Sequence, residues 1–223
     1  MKLKVLFNDV LALEKNRATY PTLFAGFVLF VCAFLPAADF LGPITPIQFS
    51  YEEYLNYFEF ENVLGLILYL GPNLIGLLLT GISFCILFNK KKTLMVLSIS
   101  HILFTLIFGL VYSYAIIYVS LSEGHADKAV ELTVIILSSV IIALFFLSIF
   151  SRSARGVMTF RAQWCGTGLC VIFYATLLEE LGLHIFTYGF YLMLIASVVL
   201  CGAGIYNETR HRRLHKHAEL AQT

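Results

Sequence analysis

Charge is what this sequence has least of. Only 13% of its 223 residues are Asp, Glu, Lys or Arg, and 59% are hydrophobic. An ordinary soluble domain carries about 25% charged residues. A soluble globule of this length needs polar residues to cover its surface, so the shortage excludes one, and it excludes a disordered chain as well. A net charge of +1 also leaves no electrostatic footprint for direct nucleic acid binding. What remains is an all-α integral membrane protein.

Other absences narrow the reading. Cys32, Cys85, Cys165, Cys170 and Cys201 all lie in or at the edge of apolar runs, so no disulfide framework of an oxidising aqueous compartment is implied. Cys165 and Cys170 would sit about 140° apart on a helix, which suits neither a metal site nor a redox pair. Met1–Arg17 lacks the basic stub and short apolar core of a cleavable signal. There is no nucleophile elbow, phosphate loop, Ser–Lys dyad or HExxH spacing. No cofactor is implied, and an enzyme is not expected.

Six apolar segments are present, at about 22–40, 63–88, 93–121, 132–150, 162–178 and 183–206. A bilayer core of about 30 Å needs about 20 helical residues. The second and third segments exceed that and the fifth is short, which leaves a re-entrant fifth segment as the alternative. With six spans, 14 of the 15 Lys and Arg residues fall on one side and only Lys128 on the other, while 10 of the 14 acids fall opposite the basic clusters. By the positive-inside rule both termini are then cytoplasmic. The expected organisation is an interfacial helix over 1–20, a six-span helical bundle over 21–206 and a basic cytoplasmic tail over 207–223.

The N-terminal helix is amphipathic. Leu3, Leu6, Phe7, Val10, Leu11 and Leu13 fall within one arc of roughly 160°, with Lys2, Lys4 and Lys15 outside it. It suits the lipid interface first, with a partner's groove as the alternative. In the outer loop Leu41–Asn62, Ser50 and Glu53 form a capping-box pattern, so a helix is expected from Tyr51. Its aromatic face would either anchor the loop or sense a ligand.

No ionisable Lys, Arg, Asp or Glu lies mid-span, which removes the usual marks of a proton relay. The polar content there is neutral. Pro72 removes a backbone hydrogen bond to Leu68, and Asn73 is placed to satisfy the freed carbonyl. His101, Thr105 and Tyr112 share a stripe with Ser98. The stripe would either line a path for a small solute or form interhelical hydrogen bonds. Ala33 with Ala37, Ser197 with Cys201, and glycines 65, 71, 76 and 81 suggest close helix packing.

Two surface clusters complete the survey. Glu179, Glu180, His184, His125 and Asp127 would lie on the outer face, where carboxylates and imidazoles can meet a divalent cation, although solvent-exposed acids at span ends need no function. Arg210, Arg212, Arg213 and Lys216 follow the last span, and anchor to anionic headgroups or dock an acidic partner. The expected partners are therefore the lipid bilayer, further copies of the chain and a cytosolic protein. The short loops fit a multi-pass subunit of a bacterial inner membrane. The expected function is a non-enzymatic subunit that oligomerises or recruits a cytosolic partner, of the envelope-sensing, immunity or phage-defence kind. The alternative is a channel or facilitator for a neutral or weakly charged solute.

Overall fold

The computed structural model describes residues 16–39, 43–50, 60–123, 128–150 and 158–220. Residues 1–15 of the interfacial helix expected over 1–20, the helix expected from Tyr51, and His125 and Asp127 lie outside the described residues. Within them the chain is helical apart from one small ribbon. The helices are α1 (Thr19–Val31), α2 (Pro46–Ser50), α3 (Phe60–Leu87), α4 (Lys91–Glu123), α5 (Lys128–Phe150), α6 (Met158–Leu181) and α7 (Tyr188–Leu220). Three of them, α3, α4 and α7, are long and apolar enough to cross a membrane. Large apolar side chains face outward along the bundle, including Phe24, Leu103, Leu147 and Ile195, as expected where the solvent is lipid rather than water.

The first apolar segment ends earlier than its hydropathy suggests. Helix α1 stops at Val31 and tightens into a single 3-10 turn over Cys32–Phe34. Pro36 is the reason. A proline forces the preceding residue out of the helical region, and Leu35 is extended, at φ −99° and ψ 147°. Residues beyond it leave the helix to form the ribbon, in which β1 (Ala38–Asp39) pairs antiparallel with β2 (Pro43–Ile44). Ala33 and Ala37 therefore do not share a helix face. Helix α6, over the fifth apolar segment, has 24 residues, about 36 Å of helix. Helix α7 runs unbroken from the last apolar segment through Leu220.

Turn chemistry sets how the helices meet. Between α3 and α4, Asn89 takes a positive φ of 53°, and the Lys90 N–H reaches back to the Cys85 carbonyl at 2.9 Å. That is a left-handed helix cap, one of the few places where Asn substitutes for Gly. Gly182 does the same after α6, at φ 80°.

Helix α1 packs on α3 and α7, α3 on α4, α4 on α6, and α6 on α7, while α5 leans on α4 and α6 from the rim. The core runs through Leu29, Ile75, Leu79, Phe108, Leu169 and Leu200, each essentially without exposure. Close approach depends on missing side chains. A Cβ on Gly76 would lie 2.8 Å from the Gly26 carbonyl oxygen, and one on Gly26 would lie 2.9 Å from the Gly76 oxygen. Real Cβ contacts are never that short, so α1 and α3 cross backbone on backbone at this pair. Gly71 instead makes room for the Phe108 ring, and Gly81 for Leu97.

Candidate functional site

The described charged side chains that interact across helices gather where α7 leaves its apolar run. That run ends at Tyr206, and Glu208 follows two residues later. Its carboxylate is almost enclosed and faces the first turns of α6. Arg161 Nε donates to Glu208 Oε2 at 3.3 Å, and the Arg161 Nη2 group to Oε1. Trp164 Nε1 donates to Oε2 at 2.6 Å. Arg212, one turn further along α7, donates Nε and Nη2 to Oε1 at 3.1 and 2.8 Å. Side-chain exposure is 14% for Arg161 and 11% for Glu208, against 50% for Arg212. The first pair is thus a closed interhelical link, and the second is a partly wet helix pair.

Local sequence explains the geometry. Arg161 and Trp164 are three apart on α6 and so lie on one face. Glu208 and Arg212 are four apart on α7, with the acid nearer the N-terminus, the better orientation for a helix pair. Gly204 lets the helices close, since a Cβ there would lie 2.9 Å from both Trp164 Cβ and Trp164 N. Burial works to raise the Glu208 pKa, but the hydrogen bonds from Arg161 and Trp164, the Arg161 charge and the Arg212 bond outweigh it. The carboxyl is held below its ordinary range.

Beneath the clamp is a neutral polar layer. Gln163 Nε2 donates to the Leu200 carbonyl at 3.0 Å and to Thr22 Oγ1 at 3.4 Å, tying α6 to α7 and α1. Gln163 and Thr22, with Thr19, Ser83, Thr159 and Asn207, line a cavity of about 20 Å³, which is room for one water.

The residues singled out in the sequence do not form one site. Arg210 and Arg213 are exposed on α7, Lys216 lies further along the same helix, and Arg212 is committed to Glu208. Pro72 and Asn73 are buried in α3. Asn73 does not serve the Leu68 carbonyl that Pro72 leaves free; its Nδ2 donates instead to the Leu29 carbonyl of α1 at 2.7 Å and touches Met193 Sδ at 3.7 Å. The side-chain amide reaches the end of α1, where the early stop leaves carbonyls needing donors. Ser98, His101, Thr105 and Tyr112 are all buried inside the bundle. Tyr112 stacks on Phe108 and meets Phe173 edge-on. Among the described residues neither ring nitrogen of His101 has a hydrogen-bond partner. His184 is exposed in the turn after α6, whose last turn carries Glu179 and Glu180, and no group of three or more metal-binding side chains occurs among the described residues.

Glu208, Arg161 and Trp164 were not picked out in the sequence as a unit. Arg161 reads as one more loop cation and Glu208 as a counter-charge in a basic tail. The available signal was the sole tryptophan placed three residues after an arginine, at the same end of the bundle as an acid in an otherwise basic run. No protein-family model, curated protein or solved structure matches this chain.

Proposed function

We propose that this protein is a non-enzymatic multi-pass membrane subunit that uses the basic end of α7 to dock an acidic cytosolic partner, alone or as a homo-oligomer. The reading takes six segments as spans with both termini cytoplasmic, following the basic clusters, and a bacterial inner membrane as the setting. Sensing, immunity and phage defence are roles that need such a subunit.

The observation that carries it is the clamp on Glu208. At 33 residues α7 is about 50 Å long, about 20 Å more than a bilayer core. The excess lies at the end that bears Arg210, Arg212, Arg213 and Lys216. A basic tail on a loose tether loses much freedom when it docks. One that continues a helix pinned by Arg161, Trp164 and Glu208 presents its charges already ordered, and preorganisation of this kind lowers the cost of binding.

Purification in mild detergent followed by mass spectrometry tests the reading. A stoichiometric protein partner, or a discrete homo-oligomer that loses its partner in high salt, supports it. A monomer with no retained protein under any salt condition sinks it. The His101 ring, without a hydrogen-bond partner among the described residues, favours one other reading, a channel along the buried stripe. The cavity beside Thr105 is about 10 Å³, at the lower bound for a single water, so such a path would have to open. Partner-free liposome flux is its test.

A further inference from the structure

The end of the bundle opposite the clamp holds a cavity of about 100 Å³. Its walls are Tyr69 of α3, Phe173 and Tyr174 of α6, Phe186 in the connection before α7, and Phe190 and Met193 at the start of α7; the β1–β2 ribbon covers it. The rings brace one another. Tyr174 and Phe190 meet edge-on at 5.3 Å, Phe186 stacks on Phe190 at 3.9 Å, and Tyr69 meets Phe173 edge-on at 5.9 Å. The ribbon is itself held down. The Ala37 N–H bonds the Ile44 carbonyl at 2.9 Å, the Thr187 N–H bonds the Ala37 carbonyl at 3.0 Å, and Ala38 bridges Phe186. The space is therefore built into the fold and is not slack between mobile side chains.

Water has little to hold it there. Two of the three polar side chains of the lining, Tyr174 and Thr45, are already engaged. Tyr174 OH donates to Met193 Sδ at 3.5 Å. Thr45 caps α2, accepting from the Gln48 N–H at 3.1 Å while its own N–H donates to Gln48 Oε1 at 3.1 Å. A buried water needs two to four polar partners, and apolar cavities without them stay dry and take up hydrocarbon.

We propose that this cavity binds the methyl end of a lipid acyl chain. Size selects the ligand. Pockets for whole drug-sized molecules run from about 300 to 1,000 Å³, whereas this space is about two thirds of an engineered cavity of roughly 150 Å³ that takes benzene. It has room for a chain tip and not for a headgroup or ring system with substituents. Supply selects the source. Phe34, Leu183 and Tyr188 at the same end of the bundle are 57%, 68% and 59% exposed, and such apolar surface on a membrane-spanning bundle meets lipid tails directly. The site is independent of the docking role proposed for α7.

The test uses the full-length protein in phosphatidylcholine nanodiscs containing a fraction of lipid with a photoreactive diazirine at the end of one acyl chain. After illumination, peptide mapping should find label concentrated on the segments 173–177 and 186–193, with excess plain lipid competing it away. Ala37→Leu fills the space and should abolish this labelling while leaving the rest of the pattern. Phe173→Ala enlarges the space and should retain it, which guards against a variant that merely misfolds. Label spread evenly over all the helices, and equal in Ala37→Leu, overturns the proposal. So does a cavity that takes free hexane in detergent, read as a thermal shift lost in Ala37→Leu, yet is never labelled from lipid.

Discussion

Trp164 donates its indole N–H to Glu208 across 2.6 Å, from one helix to the next and at the point where α7 becomes charged. Arg161 and Arg212 share the same carboxylate, so one acid satisfies three donors. Removing it takes the carboxylate away from a nearly enclosed guanidinium and from the Trp164 indole N–H. Losing one partner of a hydrogen-bonded buried charge costs more than the bond itself is worth. Glu208→Ala is expected to destabilise the folded protein by about 2–3 kcal/mol. Glu208→Gln, which keeps an acceptor for Trp164, should lose about half of that. Because the folded carboxyl titrates below its ordinary value of 4.5, its stabilisation is present above that value and fades as pH falls below it. Melting temperature against pH should therefore drop in acid for the wild type and flatten in Glu208→Gln. Parallel curves for the two proteins would remove the clamp from the account.

The crossing of α1 and α3 gives a sharper structural test. A methyl on Gly76 meets backbone atoms of α1 that cannot rotate away. Overpacking of this kind costs about 1–3 kcal/mol, so Gly76→Ala should lower thermal stability in detergent by that amount. Gly202 is the control, since a Cβ there meets nothing within 4 Å. Gly202→Ala should be neutral or stabilising by about 0.5–1 kcal/mol, the helix-propensity gain alone. If both substitutions behave alike, the close crossing is not what holds these helices together.

Asn73 ties the same pair by a hydrogen bond. Its donor reaches the Leu29 carbonyl at 2.7 Å inside the core. Interhelical hydrogen bonds in membrane proteins average about 0.6 kcal/mol and seldom exceed about 1.7 kcal/mol. Asn73→Leu is expected to fall in that range by unfolding in mixed micelles. A loss several times larger would mean that Asn73 also holds something besides α1.

The helical class and most segment positions were legible because hydropathy acts locally and the bilayer sets a length. The spacing of Ser98, His101, Thr105 and Tyr112 likewise marked residues that sit inside the bundle. What failed was whatever depended on which helix lies next door. The reach of Asn73 to Leu29 and the meeting of Gly76 with Gly26 are facts of helix order, which a periodicity does not contain. Pro36 was visible, yet the surrounding Phe34, Leu35 and Ala37 kept the hydropathy high and masked the helix stop. The clamp was hidden for the same reason as Asn73: Arg161 and Glu208 are 47 residues apart, and nothing local joins them.

His101 offers a test between a structural and a conductive stripe. It is fully buried with no hydrogen bond to lose among the described residues. Burying a polar ring without a partner costs free energy that an apolar side chain of similar volume avoids. His101→Leu should therefore leave stability unchanged or raise it by up to about 1 kcal/mol, and should leave any partner bound. Loss of solute flux in liposomes from the same variant would instead make His101 part of a path.

The basic end of α7 is where the docking reading is most exposed. Arg212 belongs partly to the clamp, so altering it would change the fold and the surface together. Arg210 and Arg213 are exposed, and with Lys216 they can be replaced without touching Glu208. Changing these three to Gln should leave insertion and melting temperature as they are, because the apolar helices and the remaining basic clusters are intact. Binding to an acidic partner should fall sharply. At about 1 kcal/mol per charge near an anionic surface, three charges amount to about 3 kcal/mol, on the order of a hundredfold in affinity. High salt should mimic the substitution in the wild type, since exposed charges are screened over a Debye length of about 8–10 Å, and should add little in the variant. Anionic vesicles and a co-purified partner can be compared in one assay. If the triple variant releases vesicles but keeps its partner at low salt, α7 is a membrane anchor. Recruitment would then have to be sought at Lys90, Lys91 and Lys92, where the turn after α3 leads into α4.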